Sequence, residues 1–334
     1  MEALLYSSIL GTFLVEAKKG RLIEKILFSQ QNVLDRATAL RQGAWIQEEV
    51  AVLKKYPNAK ITYLGFKEKE NIPVTHALET LELVSNAIQE AIAFPPWQER
   101  SIMITRKAIR DAFKPELLII QAVENIAELD KVANILGKRL REWFGYYLPE
   151  FSLGNQEKFV SLILEKSKEV LLKELKVRRE ESMGAEFQKE DVEEMLALAK
   201  TMQELFALRK KHEEYLERNM QKTMPNVQAI AGTVIGAKLL ALTGTLKRLA
   251  TFPASTLQVL GAEKALFRHL KTGSRPPKYG ILHEHPLIAK AKREKRGKVA
   301  RGLADKISIA AKVDYFKGAF IGEKLRKELE KKFQ

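Results

Sequence analysis

Apolar residues recur at three different spacings along this chain. Between residues 3 and 67 the runs are short. Leu4–Leu10, Thr12–Ala17 and Arg21–Phe28 are rich in Leu, Ile and Val and have the length of strands. Lys18-Lys19-Gly20, between the second and third, is a hairpin signal. Residues 31–56 change to three/four spacing (Val33, Leu34, Ala37, Leu40, Ile46, Val50, Leu53), broken near Gly43, which predicts helix. Ile61–Phe66 reads as a returning strand. Helical spacing resumes from Pro73 to Arg110, interrupted by Phe94-Pro95-Pro96-Trp97, where two prolines end a helix and stiffen a turn.

Residues 116–224 carry the longest helical pattern. Ile119, Val123, Ile126, Ala133, Leu136, Leu140, Trp143 and Tyr147 line one face. After a break at Pro149 and Gly154, Phe159–Leu175 is a further helical piece, and Gly184 marks a tip or connection. Val192, Met195, Ala199, Met202, Phe206, Leu216 and Met220 continue the series to Pro225, faltering where Arg209 and Glu213 hold expected apolar slots. Helices of ~30 residues, ~45 Å long, need a partner face. An antiparallel coiled-coil hairpin supplies one, and a plain helical bundle is the competing arrangement. Such a hairpin is also a candidate for self-association.

In the last third, residues 229–250 are apolar enough to raise a membrane span. Lys238 interrupts the stretch and Lys247-Arg248 close it, so small residues (Gly232, Gly236, Ala237, Gly244) point instead to closely packed helices. Gly232–Lys238 lacks the spacing of a phosphate loop. The stretch Thr251–Gly280 has three parts. Pro253 at a first helical position, with Ser255 and Thr256, opens a helix whose free N–H groups suit a phosphate. Lys264, Arg268 and Lys271 then share one helical face, with Val259, Leu260, Leu266, Phe267 and Leu270 expected in the core behind it. Pro276-Pro277 stiffen a loop presenting Arg275 and Lys278. From Lys290 to Arg301 a second run, Lys290, Lys292, Arg293, Lys295, Arg296, Lys298 and Arg301, alternates with Ala291, Val299 and Ala300, which predicts one basic helix.

Charge sharpens this picture. Of the net +15 over 334 residues, residues 1–115 contribute +3 and residues 116–224 contribute −3. Residues 225–334 hold 23 Lys+Arg against 8 Asp+Glu, so the entire excess sits there. A basic module on neutral ones is the footprint of polyanion binding, nucleic acid ahead of a membrane surface. There is no cysteine, which excludes disulfides, thiolate catalysis and Cys-ligated zinc. The start, with Glu2 and no basic leader, is not expected to be a signal peptide. His283-Glu284-His285 is the only histidine cluster and has no third ligand at metal-site spacing. Carboxylates concentrate in the long helices, where i,i+4 pairing accounts for them. The sequence therefore supplies no catalytic constellation, and a non-enzymatic role is expected.

Three blocks, MPNVQAIAG (residues 224–232), GAEKALFRHL (261–270) and RPPKYGILHEHP (275–286), strongly resemble the NOP-domain family. The order of modules is similar to that of its archaeal members, the core scaffolds of box C/D guide ribonucleoproteins. The resemblance implies a mostly α protein with a small N-terminal α/β domain (1–115) that docks the methyltransferase fibrillarin. It further implies a central antiparallel coiled coil (116–224) that makes a homodimer and a helical C-terminal NOP domain (225–334). That last domain would read box C/D guide RNA together with its kink-turn-binding, ribosomal-protein-like partner. The face would run through Ala254, Ser255 and Thr256, the helix with Lys264, Arg268 and His269, and the loop to Lys278. The chain itself would bind no cofactor, S-adenosylmethionine belonging to the methyltransferase, and would work in the archaeal cell interior without a membrane. Unlike eukaryotic relatives the sequence ends without a Lys/Glu/Asp-repeat tail, so no tail-dependent localisation is expected. A splicing-type NOP adaptor with no methyltransferase partner is the alternative, and the N-terminal α/β domain argues against it.

Overall fold

The computed structural model describes residues 1–65, 72–92 and 96–333. Contacts divide the chain into two compact units, Met1–Phe113 and Lys114–Gln334. The fold class is as expected: mostly helical, with one small N-terminal sheet.

In the first unit β1 (Glu2–Ser7), β2 (Gly11–Glu16) and β3 (Leu22–Leu27) form an antiparallel meander. Its second turn closes where Glu16 N–H donates to Arg21 O at 2.9 Å. Two helices, α1 (Val33–Gln42) and α2 (Gln47–Lys55), carry the chain to β4 (Lys60–Leu64), which pairs parallel to β1. A two-residue β5 (Val74–Thr75), unforeseen in the sequence, adds an edge and completes the order β3-β2-β1-β4-β5. Both faces of the sheet are covered, which is why its strands read as continuous apolar runs. Leu4, Phe13, Val15 and Leu64 pack on Val84, Ala87 and Ile88 of α3 (Leu78–Ala91). Ala3, Leu5, Leu14 and Tyr63 pack on Val52 of α2. The helix α4 (Trp97–Asp111) fully buries no residue. It is pinned by Arg100, whose guanidinium donates to the carbonyls of Ile9, Leu10 and Phe28, each at 2.8 Å. The proposed proline turn at Phe94-Pro95 lies outside the described residues.

The second unit is built on two long helices, α5 (Glu116–Tyr147) and α8 (Lys189–Thr223), of 32 and 35 residues. They run antiparallel: Ile119, Val123 and Ile126 share a core with Leu216 and Met220, whereas Leu140 and Phe144 meet Met195, Ala199 and Met202. Midway the seam turns polar. Arg209 Nε donates to Asp130 Oδ1 at 2.6 Å and its guanidinium pairs with Glu213 at 3.2 Å, which explains the faltering apolar series. The distal end is closed by α6 (Gln156–Glu165) and α7 (Lys168–Leu175), two helices where one piece was expected. Ser167 between them is extended, and this breaks the helix. Gly184 is no free tip. It lies against Tyr147 O, and Ala185 N–H donates to Tyr146 O at 2.8 Å.

Among the described residues eight further α-helices follow in this unit. They are α9 (Pro225–Ala231), α10 (Thr233–Thr243), α11 (Leu246–Thr251), α12 (Ala254–Val259), α13 (Glu263–Thr272), α14 (Pro286–Lys290), α15 (Arg296–Tyr315) and α16 (Gly322–Phe333). The apolar stretch 229–250 is cut into separate helices, and α9 and α10 meet at 117°. Among the described residues no single helix is long and apolar enough to cross a membrane. Gly232 and Gly244, expected to permit close packing, instead make these breaks. Both take positive φ (80° and 78°) with open space where a Cβ would sit. Gly236 does pack closely, against Met220 and Val227. The helix α15 runs through the core, with Val299, Leu303, Ile307, Ala310 and Ala311 buried against neighbours from α9, α11, α12 and α16. At its end the buried Asp314 carboxylate accepts from Asn226 N–H and Nδ2 and from Val227 N–H, satisfying free donors at the start of α9.

Candidate nucleic-acid interface

α12, α13 and the loop to Gly280 form one presented surface. Leu257 anchors α12 in the core, while Ser255 is exposed and Ala254 and Thr256 are half-buried beside it. Pro253 precedes the helix as its cap, one position earlier than the sequence suggested, with extended backbone. Its carbonyl accepts from Thr256 N–H at 3.0 Å and Leu257 N–H at 3.2 Å. Of the N–H groups expected to be open to a phosphate, that of Thr256 is therefore already used.

Glu263 starts α13 by accepting from Gly261 N–H at 2.7 Å. Lys264, Arg268 and Lys271 all lie exposed along it, as their spacing requires. The apolar side departs from expectation. No residue of α13 is fully buried, and Phe267 and Leu270 are 61% and 69% exposed instead of joining the core. The cause is geometric: a ten-residue helix attached through loops on both sides stands off the body and presents most of its circumference. His269 is half-buried and its Nδ1 bonds Ser274 O, folding the following loop back onto the helix end.

That loop is held at its far end. Gln258 Nε2 donates to Lys278 O at 2.6 Å, Gly280 N–H to Gln258 O at 2.8 Å, and Ile281 N–H to Leu260 O at 2.8 Å. Gly280 passes so close to Leu260 O that a side chain there would collide. Gln258 and Gly280 are thus positioning residues that the sequence did not mark, since their partners are set by tertiary packing. Arg275 and Lys278 are exposed on the braced loop, and a Cβ at Gly297 would lie 3.7 Å from Lys278 Cδ. The loop therefore meets the first turn of α15.

The second basic run is not one helix. Lys290 ends α14, Lys292, Arg293 and Lys295 lie on a turn, and Lys298 and Arg301 sit on α15. Arg296 forms the break by donating from Nε to Ala291 O at 3.1 Å and from its terminal nitrogen to Ala289 O at 3.3 Å. It caps α14 and is only half-exposed, whereas the remaining six cations are solvent-facing or helix-terminal. His283 and His285 do not share a face. His283 is exposed on a 3₁₀ turn, while His285 is buried, accepting from Leu287 N–H and bonding Ile230 O at 3.0 Å. Chemically, the surface offers cations on a braced scaffold, with two exposed apolar side chains among them. It suits an anionic ligand that also brings an apolar neighbour.

Comparison with known proteins matches residues 125–334 to the family model described as "Nop: snoRNA binding domain, fibrillarin". The chain is 40% identical over 251 residues to an uncharacterised NOP5 family protein of Methanocaldococcus jannaschii, covering 70% of this chain and 60% of that one. It is 38% identical to nucleolar protein 58 of Schizosaccharomyces pombe, over 60% of this chain and 43% of that one. With nucleolar protein 56 of Caenorhabditis elegans it shares 35% identity over 67% of this chain and 51% of the relative. The matched stretches thus span less than two thirds of each relative's own length. A chain from a crystal structure of a fibrillarin/Nop5p complex aligns over 98% of both chains, with 22% identity and a TM-score of 0.43.

Proposed function

The chain belongs to the Nop family, and from that premise we propose that it is a non-catalytic scaffold of a box C/D RNA-guided ribose 2′-O-methylation complex. In this reading residues 1–115 dock a fibrillarin-type methyltransferase, residues 116–224 join two copies, and residues 225–334 hold guide RNA with its kink-turn-binding protein. S-adenosylmethionine is bound by the methyltransferase, and the particle works in the interior of an archaeal cell with no membrane involved. One observation carries the RNA assignment: α13 and its braced loop present Lys264, Arg268, Lys271, Arg275 and Lys278 outward on the net-basic part of the chain. Phe267 and Leu270, exposed on the same helix, supply apolar area for a protein component next to the RNA. A-form grooves are poorly read by side chains, so recognition by shape and by a bound protein fits such a surface.

Reconstitution with kink-turn RNA, the small RNA-binding protein and a fibrillarin-type methyltransferase tests this, with methyl transfer measured as each component is omitted. Arg268→Ala and Lys278→Ala are each expected to weaken assembly about tenfold, the loss of a charged RNA contact, with self-association unchanged. Unaltered assembly of both variants at matched salt would remove the site. Failure to capture the methyltransferase would favour an adaptor that works without one, and turnover by the isolated chain would make it an enzyme.

A further inference from the structure

A second aromatic and cationic surface lies at the other end of α15. At 1.5 Å per residue this 20-residue helix places it ~30 Å from the turn that meets Lys278. α15 ends on Tyr315, and the link to α16 carries Phe316 and Phe320, 76% and 55% exposed. The rings of Tyr315 and Phe316 meet edge to face with centroids 5.0 Å apart. The link is fixed at both ends. Gly318 N–H donates to Val313 O at 2.9 Å, closing α15, and Ile321 N–H donates to Asn226 Oδ1 at 2.7 Å. Asn226 is itself held by the buried Asp314. Between these ties Lys317 adopts a left-handed backbone, φ 54°, a conformation uncommon for a residue with a side chain. Two large rings are thus held in water on a rigid support.

Phe320 also lines an open groove of about 680 Å³ with Lys324, Lys327 and Lys331, which their spacing places in a row on one side of α16. Two acids also line the groove: Glu328 is engaged by Lys306 at 2.6 Å, whereas Glu323, one turn before Lys327, makes no ion pair among the described residues. Among the described residues Lys327 and Lys331 make no ion pair, and Lys312 and Lys317 add exposed charge beside the rings. Three lysines against one free acid leave the groove net positive, which favours a polyanion, and preset aromatic faces select one whose bases are free to stack. That combination describes single-stranded nucleic acid. A duplex hides its base faces and would use the lysines alone.

The geometry points to a second RNA contact: a single-stranded segment whose phosphates follow Lys324, Lys327 and Lys331 and whose bases stack on Phe316 and Phe320. It rests on the reading of this unit as RNA-binding, yet it uses no residue of α12, α13 or the loop to Gly280. Fluorescence anisotropy of the full chain with a labelled ten-nucleotide oligouridylate and with a labelled RNA duplex tests it. The double variant Phe316→Ala/Phe320→Ala is expected to lose about tenfold or more in affinity for the single strand while duplex affinity holds. Lys327→Gln/Lys331→Gln removes two phosphate contacts from exposed positions. It should flatten the log–log salt dependence of single-strand binding by about 1.4. Unchanged single-strand affinity, or equal loss on both probes, overturns the inference. So does retained RNA affinity with lost capture of the methyltransferase or the small RNA-binding protein, which would make the patch a protein-docking surface. Arg268→Ala separates the two readings. If it alone abolishes oligouridylate binding, this contact fails and the kink-turn site stands. If it spares both oligouridylate and kink-turn assembly, the kink-turn site fails and this one stands.

Discussion

His285 is at once the cap of α14 and a tether to α9, and the cap requires it neutral. Its Nδ1 accepts from Leu287 N–H, so its proton sits on Nε2, facing Ile230 O. Burial pushes the imidazole below its ordinary value of 6.5; the bond to Ile230 opposes this, and the Arg326 guanidinium adds to the lowering. Near that value the unfolded chain binds the proton more readily than the folded one, so stability rises with pH. The contribution is complete above 6.5 and is lost as pH falls through the lower folded-state value. The melting temperature should therefore drop between about pH 7.5 and 5.5, and drop less in His285→Asn. Equal drops in both proteins would show that His285 is not the titrating group. The sequence flagged the His283-Glu284-His285 cluster but gave it no role, because the role depends on a carbonyl 55 residues away. The same limit hid the Asn226–Asp314 bond, which joins residues 88 apart.

Elements were more legible than residues, because their cause is local. Apolar spacing marked α5 and α8 and also the polar interruption at Arg209, whose partner Asp130 lies on the facing helix. It failed at α13, where the same spacing that buries one face of α15 leaves Phe267 and Leu270 in water. Periodicity reports that a helix has an apolar side, not that anything covers it. The distal end of the long pair holds a further close fit that spacing does not encode. Gln156, at the start of α6, donates from Nε2 to Ala133 O at 2.6 Å across Gly137 of α5. A Cβ at position 137 would collide with that amide. Alanine improves a helix interior by about 1 kcal/mol over glycine, but here it displaces a hydrogen bond of similar worth. Gly137→Ala should therefore stabilise the Gln156→Ala background by about 1 kcal/mol more than it stabilises the parent. Urea unfolding of the four proteins of that cycle measures the difference, and additive effects would show that the two positions do not compete for the same space.

At the scale of the whole chain, charge and core draw different boundaries. Net charge changes sharply near residue 225, and the third segment was delimited there. The core does not stop at that point. Val227, Ile230, Leu239, Leu240, Leu303 and Ile307 share one cluster with Ile119, Ile120, Val123 and Ile126 of α5 and with Leu216 and Met220 of α8. Charge is a surface property and reports the partner a segment meets, whereas a fold is bounded by where apolar contacts end. The near ends of α5 and α8 carry the same spacing as their coiled-coil seam, so nothing in the pattern announces that they serve a second core. It follows that residues 225–334 should not fold as an independent unit. Cut from the long helices they lose one wall of their core and keep a net charge of +15 within 110 residues, a self-repulsion that favours expansion. That fragment is expected to retain helical far-ultraviolet circular dichroism, bind a hydrophobic dye and melt broadly, the behaviour of a collapsed chain without fixed packing. A fragment of residues 114–334 keeps the whole cluster and should melt in one sharp transition with little dye binding. A sharp melt from 225–334 alone would mean that the helices α5 and α8 lean on a core already complete without them.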